Sequence, residues 1–359
     1  MNKTIAIWAP LRYANVGDDM QALAFAMFIK KQGYEVKLYQ LEESLSVRYG
    51  LKSVQTLDEL CQDVNLCVIA GGALLTPFKW YKRLLNRAAR EYEQDFKNLL
   101  AASKKYPRVK FCAISMGGDG KVKDPVEWYS KYRIDFFKSP SFIDGTVRLA
   151  GDVEQMKQFG KHFTFFPDML FRQEDFFKKE LLPPSSKYRV VLQFKRGRYL
   201  DKQLLKDIMA YASTNDDMEF HFITTHMPQI GLTYQYVPEK ASKNIFIDTY
   251  QNPEQLIGIL ASADVLMTSM LHVGLIGLTC GTPFVSYRGP GKTKSFLMSV
   301  GGDWAILDDN LTFDEIHTQV FSKNKNQLFS QYDRIIIEEM KAASCNHYDF
   351  CKNILEKYA

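Results

Sequence analysis

Short apolar runs of strand length alternate with longer stretches of helical spacing from one end of the chain to the other. Ile5-Ala6-Ile7-Trp8 reads as a first strand, and residues 18–32 as an amphipathic helix behind it. Val36-Lys37-Leu38-Tyr39 and Leu66-Cys67-Val68-Ile69-Ala70 are the next strands, the second ending at Gly71-Gly72. A charged helical stretch covers residues 79–105, and the apolar strand Val109-Lys110-Phe111-Cys112-Ala113-Ile114 follows, ending near Gly117-Gly118. After Phe165-Phe166-Pro167-Asp168 the rhythm breaks. Residues 172–187 are charged and close on Leu182-Pro183-Pro184, which reads as an interdomain linker. The pattern restarts at Arg189-Val190-Val191-Leu192-Gln193-Phe194, with further strands at Phe220–Thr224, Ile245–Ile247, Val265–Thr268 and Phe284–Tyr287.

Such alternation predicts βαβ crossovers and a mostly parallel sheet. The expectation is an α/β chain of two Rossmann-like, doubly wound domains, residues 1–172 and 188–325. A helical region over 326–359 is long enough to pack back on the first domain. A chain of 359 residues suits two domains of ordinary size. In doubly wound sheets ligands bind beyond the carboxyl ends of the strands. Two such domains in succession are expected to face a central cleft, so the loops that follow strands are where chemistry is sought.

Composition narrows the class. With 46% hydrophobic and 24% charged residues the chain reads as soluble and globular. A net charge of +5, with bases and acids interleaved, suits small anionic substrates and is too weak to argue for nucleic acid. The 25 Phe and 19 Tyr fill cores, and an aromatic surplus also suits stacking on sugar rings; Trp80, Tyr81, Trp128 and Tyr129 admit either reading. The six cysteines form no CxxC pair and no zinc spacing with histidine, and there is no H-E-x-x-H, so neither metal nor bound cofactor is expected. Free thiols favour a reducing cytoplasm. The N-terminus enters a strand at once, unlike a signal peptide, and no apolar run reaches the ~20 residues that span a bilayer. The expected location is the cytoplasm, with peripheral contact at the inner membrane face as its furthest extension.

Several strand-end loops carry candidate chemistry. In Asn15-Val16-Gly17-Asp18-Asp19-Met20-Gln21, Gly17 allows a tight turn, and Asp18 and Asp19 complement the dipole of the following helix. The same residues suit recognition or deprotonation of a sugar hydroxyl, and the loop is not a dinucleotide fingerprint. Gly71-Gly72-Ala73-Leu74-Leu75 and Met116-Gly117-Gly118-Asp119-Gly120 are two glycine turns that let backbone approach a ligand closely. Thr268-Ser269-Met270-Leu271-His272 puts an imidazole at a strand-to-helix junction, where backbone N–H groups can hold an anion. Cationic turns follow two other strands: Lys195-Arg196-Gly197-Arg198, and Arg288-Gly289-Pro290-Gly291-Lys292-Thr293-Lys294, which is not a Walker A loop because Ser286 stands where its first glycine would be. His226 is a weaker strand-end candidate, and His162, His221, His317 and His347 have no supporting context.

The ordered set Asn15-x-Gly17-Asp18-x-x-Gln21, Gly71-Gly72-x-x-Leu75, Ser269-x-Leu271-His272, Gly281-x-Pro283 and Tyr287 resembles the polysaccharide pyruvyl transferase family, with echoes at Val147-Arg148 and Pro167-Asp168. The resemblance covers roughly residues 5–300. It implies a glycosyltransferase-B-like pair of domains and transfer of the pyruvyl unit of phosphoenolpyruvate onto two sugar hydroxyls, giving a ketal and phosphate. His272 is then the expected general acid, since an imidazole titrates near neutrality, and Asp18 the group that orients or deprotonates the acceptor hydroxyl. Ser269, Lys195, Arg196, Arg288, Lys292 and Lys294 are the expected donor-binding residues. Asn15, Gly17, Gln21, Gly71, Gly72, Gly117 and Arg148 are expected on the acceptor side, in the first domain. Phosphoenolpyruvate is a co-substrate, and the acceptor a bacterial-type polysaccharide sugar, free or lipid-linked.

Three positions depart from the family pattern: Met270 stands where an arginine is usual, Leu149 where the Arg-Asp turn has its aspartate, and Ala73 where a third glycine is common. Met cannot make the charge-assisted bonds of an arginine. A glycosyltransferase with a nucleotide-sugar donor, and a non-catalytic glycan-binding relative, are the competing readings.

Overall fold

The computed structural model describes residues 3–78, 81, 85–118, 126–195, 200–228 and 235–359. It divides into two compact units, each treated by itself below. The first comprises Met1–Arg12, Asp18–Met169 and Ala343–Ala359; the second comprises Tyr13–Gly17 and Leu170–Ala342.

The first unit holds β1 (Thr4–Trp8), β2 (Glu35–Tyr39), β3 (Lys52–Val54), β4 (Leu66–Ala70) and β5 (Lys110–Ile114). They form one parallel sheet in the order β3-β2-β1-β4-β5. Every residue of β4 is buried, as a parallel strand covered on both faces requires. A short parallel pair, β6 (Gly145–Val147) and β7 (Phe163–Phe165), follows. The winding order reverses between β1 and β4, which makes their carboxyl ends the switch point of the sheet.

The phenylalanine surplus serves the core of this unit, where Phe96, Phe111, Phe136, Phe137 and Phe142 are fully buried and pack ring to ring. Tyr129, a candidate for sugar stacking, is buried among them and donates to Leu75 O at 2.7 Å; its ring belongs to the core because its hydroxyl finds a partner inside. Trp128 is half-buried, Tyr81 is 41% exposed, and Trp80 lies outside the described residues. Arg133 is fully buried, paired with Glu93 at 2.8 Å, with its guanidinium 4.6 Å from the centre of the Phe96 ring. A charge so deep persists because carboxylate, backbone carbonyls and ring faces together replace its water.

The helix expected over residues 79–105 runs Arg87–Lys105, because the Asn86 side chain accepts from Ala89 N and caps it there. Residues 79, 80 and 82–84 of that expectation lie outside the described residues. The helix Asn346–Tyr358 belongs to the first unit, and His347 pins it. Thr146 Oγ1 lies 2.7 Å from His347 Nδ1, and His347 Nε2 donates to Pro167 O at 3.0 Å. A carbonyl can only accept, so Nε2 carries the proton and Nδ1 takes the threonine hydroxyl proton.

The second unit holds β8 (Tyr188–Lys195), β9 (Met218–Ile223), β10 (Gln235–Tyr236), β11 (Ile245–Asp248), β12 (Val265–Thr268), β13 (Phe284–Tyr287) and β14 (Ile306–Leu307). The sheet order is β11-β9-β8-β12-β13-β14, all parallel, with β10 antiparallel to β8. Counted within the unit this is the 3-2-1-4-5-6 order of a Rossmann sheet. Its switch point falls between β8 and β12, whose carboxyl ends carry Lys195 and the Ser269–His272 junction. The two chains of βαβ crossovers are the two Rossmann-like domains anticipated from the hydrophobic pattern. Among the described residues no helix is long and apolar enough to cross a membrane.

Burial pushes the His347 imidazole down to about 3 from its ordinary 6.5, against the opposing pull of its carbonyl partners. The unfolded chain therefore takes up this proton first, and stability present above about pH 6.5 is lost as pH falls through that value toward about 3. The thermal unfolding midpoint is expected to fall between about pH 7 and pH 4.5, and to fall less in His347→Gln. An unchanged slope in that variant would place the acid sensitivity elsewhere.

Candidate functional site

In the first unit, five of the acceptor-side candidates meet at the carboxyl ends of β4, β5 and β6. Gln21 projects from the helix Val16–Lys31; its Oε1 accepts from Gly72 N at 3.2 Å and from Arg148 Nη1 at 2.9 Å. Its Nε2 donates to Asp168 Oδ1 at 3.1 Å, and Arg148 Nε lies 3.5 Å from Asp168 Oδ2, closing a buried ring of charge and amide. Glycine is needed twice here. Gly71 has a φ of +63°, and a Cβ on it would fall 2.6 Å from Gln21 Cδ and closer still to its oxygen. A Cβ on Gly117 would fall 2.6 Å from Arg148 Nε. Asp168 was legible only as part of the Pro167-Asp168 echo; its place as the anion of this cluster is a tertiary fact. Leu149, in the usual aspartate position, leaves the Gly118 amide to Asp152, which accepts it at 2.8 Å.

Asp18 belongs to this unit too, half-buried in the first turn of its helix. Burial, and after it the Asp18 charge, pushes the Tyr92 phenol up.

Asn15 and Gly17, expected with the first domain, group with the second unit instead. The backbone makes the choice: Asn15 bridges His226 in antiparallel fashion, Val16 N donates to Thr225 O at 2.9 Å, and Met227 N donates to Ala14 O at 3.2 Å. Asn15 Oδ1 accepts from Gly17 N at 3.0 Å, and Gly17 lies against the His272 ring. A Cβ on residue 17 would stand 2.9 Å from both Cε1 and Cγ of His272, and closer still to Nδ1. His272 itself is half-buried in the first turn of the helix Leu271–Thr279, whose N-cap residue, Met270, gives no side-chain cap. Uncapped first-turn N–H groups and an imidazole therefore share one helix end.

His226, the weaker strand-end histidine, lies in this cluster. Its ring nitrogens face two amides, Asn15 Nδ2 at 3.0 Å and Gln235 Nε2 at 2.7 Å, surroundings that suit a lone pair better than the two N–H groups of an imidazolium. Burial, helped by the Lys195 charge, holds it down to about 4. Lys195 stands in register with Gln235 across the β8–β10 pair, and burial lowers its ammonium below the ordinary lysine range. Thr225 Oγ1 accepts from Gln235 Nε2 and lies 3.4 Å from Met270 Sδ, so the methionine in the arginine position points into this group. Sequence reasoning missed Thr225 and Gln235 because neither residue type signals a site; the antiparallel β10 brings Gln235 there.

Beyond β12 and β13 lies a set of buried hydroxyls. Thr268 is in register with both Gln193 and Ser286, and its Oγ1 donates to Gln193 Oε1 at 2.8 Å. Gln193 Nε2, Ser269 Oγ, Ser286 Oγ and Thr293 Oγ1 are buried and have no protein hydrogen-bond partner. Gly289 leaves room among them: a Cβ there would overlap the Ser286 hydroxyl and stand 3.5 Å from Thr293 Cβ. The helix Gly291–Ser299 starts at this point behind Pro290, without a side-chain cap, and carries half-buried Lys292 and Lys294.

Arg288 is partly held by the protein, while its buried Nε has no protein hydrogen-bond partner. Its Nη2 donates to Asp201 Oδ2 at 2.7 Å and to Asp309 O at 2.9 Å. Burial alone would raise the Asp201 carboxyl, but bonds from Leu204 N, Tyr287 and Gln203 N, with the Arg288 charge, hold it below the usual carboxylate range. Arg196 lies outside the described residues, as do Gly197, Arg198, Asp119 and Gly120. Among the described residues no three His, Cys, Asp or Glu side chains gather to hold a metal ion.

Replacing Gly17 by alanine separates packing from fold. In the first turn of a helix alanine is normally neutral or stabilising by about 0.4–1 kcal/mol. Here the added carbon displaces the His272 ring, and with His272 as the expected general acid such a displacement costs on the order of 100-fold in rate. Gly17→Ala is expected to melt near the wild-type temperature and to lose about 100-fold in kcat. Wild-type kcat in a folded variant would remove His272 from the chemistry.

The fold is shared with solved structures of very different sequence. The UDP-GlcNAc 2-epimerase from Neisseria meningitidis, bound to UDP-GlcNAc, superposes with a TM-score of 0.57 at 9% identity, over 99% of both chains. A spinosyn forosaminyltransferase gives 0.57 at 12% identity, again over 99% of both. A glycosyltransferase from Rickettsia africae gives 0.51 at 9% identity, over 98% of this chain and 97% of its own. No curated relative matches at significant similarity. The sequence model of one family, polysaccharide pyruvyl transferase, matches residues 15–288, from the Asn15 that meets His226 to the Arg288 that meets Asp201. This chain belongs to the polysaccharide pyruvyl transferase family.

Proposed function

We propose that the protein transfers the pyruvyl unit of phosphoenolpyruvate onto two hydroxyls of one sugar in a bacterial-type polysaccharide or its lipid-linked precursor. The observation that carries this reading is the second unit's pairing of an imidazole with unsatisfied donors. His272 stands on one uncapped helix with Ser269 just before it in the chain, and Ser286 and Thr293 offer buried hydroxyls at the start of a second uncapped helix. Donors without protein partners cost stability unless a ligand takes them, and an anion with phosphate and carboxylate groups is such a ligand.

In the proposed reaction His272 donates a proton to the methylene carbon, and the adjacent carbon that bears the phosphate ester becomes an electrophile. One sugar hydroxyl adds there and loses its proton; the second adds as phosphate leaves. The balance is one phosphoenolpyruvate and one diol in, one ketal and one phosphate out. Lys195, Lys292 and Lys294, with Ser269, bind the donor in this proposal. Arg288 positions Asp201 and Tyr287 rather than the donor. Asp18 orients or deprotonates the acceptor hydroxyl, and the cluster of Gln21, Gly71, Gly72, Gly117 and Arg148 shapes the acceptor side. Asn15 and Gly17 move in role from the acceptor to the seating of His272. No resident cofactor enters this scheme, and the work is placed in the cytoplasm, reaching lipid-linked acceptor at the membrane face.

Phosphate release from phosphoenolpyruvate with an acceptor glycan is the direct assay. His272→Ala is expected to lose about 100- to 10,000-fold in kcat, the usual contribution of a positioned acid. Full turnover in that variant would eliminate the proposed acid. In a thermal-shift comparison phosphoenolpyruvate is expected to raise the melting temperature, and uridine, guanosine and cytidine diphosphate sugars to leave it unchanged. The reverse pattern would favour a glycosyltransferase.

A further inference from the structure

His226 makes contact with both walls of the seat in which His272 lies. One wall is the segment Ala14–Gly17. Its main chain is laid on the end of β9 by the two backbone bonds to Thr225 and from Met227, and its side-chain link is Asn15. The Asn15 amide holds Gly17 N through its oxygen and reaches His226 Nε2 through its nitrogen. The other wall begins at His226 Nδ1, which faces Gln235 Nε2 at 2.7 Å; that amide also donates to Thr225 Oγ1, whose hydroxyl donates to Met270 Sδ at 3.4 Å. Met270 is the N-cap residue of the helix that carries His272 two positions on. An imidazole suits such a span because it is rigid and presents nitrogens in two diverging directions. An amide side chain can replace one link, and an aliphatic one neither.

Resting on the reading that His272 is the acid of pyruvyl transfer, we infer that His226 is a positioning residue, whose ring ties the Asn15–Gly17 wall to the Thr225–Met270 wall and so fixes the His272 imidazole. This also explains why methionine is tolerated at position 270: its thioether accepts from Thr225, and the residue serves the seat instead of the donor.

The full-length protein tests this in two ways. In the phosphate-release assay His226→Leu is expected to lower kcat by about 10- to 100-fold while KM for phosphoenolpyruvate stays within about twofold. His226→Gln is expected to recover most of the loss by accepting from Asn15. Asn15→Ala should resemble His226→Leu, and the double variant should be no slower than the slower single variant, because both break one chain of contacts. Independently, the His272 ring signals are followed by NMR on substrate-free protein, assigned with His272→Gln. They are expected to shift or broaden in His226→Leu and to return in His226→Gln. Additive losses, wild-type kcat in a folded His226→Leu, or unmoved His272 signals would each overturn the inference. Protein that releases no phosphate from phosphoenolpyruvate, yet whose His272 signals follow residue 226, would overturn the pyruvyl-transfer reading and leave the coupling standing.

Discussion

The His272 imidazole occupies the volume that any side chain on residue 17 would need. That exclusion organises the second unit around one loop. Gly17 must be glycine for space alone, since its backbone is not left-handed, and the segment before it must be held so that the glycine faces the ring. Ala14 accepts a φ of +41° within that segment, a strain of order 1 kcal/mol or more that only the bonds to Thr225 and Met227 can maintain. The first strand-end loop of the chain thus finds its partners about 200 residues later, on β9 and at the start of the helix Leu271–Thr279.

The two units solve the same problem at their sheet ends with different chemistry. Parallel strands end in carbonyls and amides that loops must satisfy, and the space above them is where ligands enter. In the first unit the loops close on themselves through Gln21, Arg148 and Asp168, so charge is matched internally and the turn is rigid. In the second, two helices start without a side-chain cap, and Gln193 Nε2, Ser269 Oγ, Ser286 Oγ and Thr293 Oγ1 are buried without a protein partner.

Two cation positions illustrate how context overrides residue type. Arg288 reads as an anion ligand, yet it carries a left-handed φ of +51° and its Nη2 is engaged by Asp201 and a backbone carbonyl, which leaves the buried Nε without a protein partner. Met270 reads as a loss of charge, yet it is the N-cap residue of the helix Leu271–Thr279 and its thioether meets Thr225. In the second unit Lys195 is held in a partly dehydrated place, and Lys292 and Lys294 lie on a helix N-terminus. An anion is the natural complement of such an arrangement.

The long apolar runs announced nine strands, and all nine lie in the two main sheets, because a strand buried on both faces must be apolar throughout. The strands of two or three residues, β3, β6, β7, β10 and β14, carry no period of their own and depend on neighbours already in place. Gly17, His272 and the glycine turns at Gly71 and Gly117 were legible as strand-end residues in a recurring order. What the sequence by itself determined is therefore the βαβ rhythm, the loops that bear chemistry and the family. Tertiary structure alone decided that Asn15 meets His226, that Arg288 is committed to Asp201, and that Ser269, Ser286 and Thr293 stay unpaired. Those facts arise from hydrogen-bond partners distant in the chain, and local pattern carries no record of which distant group satisfies which donor.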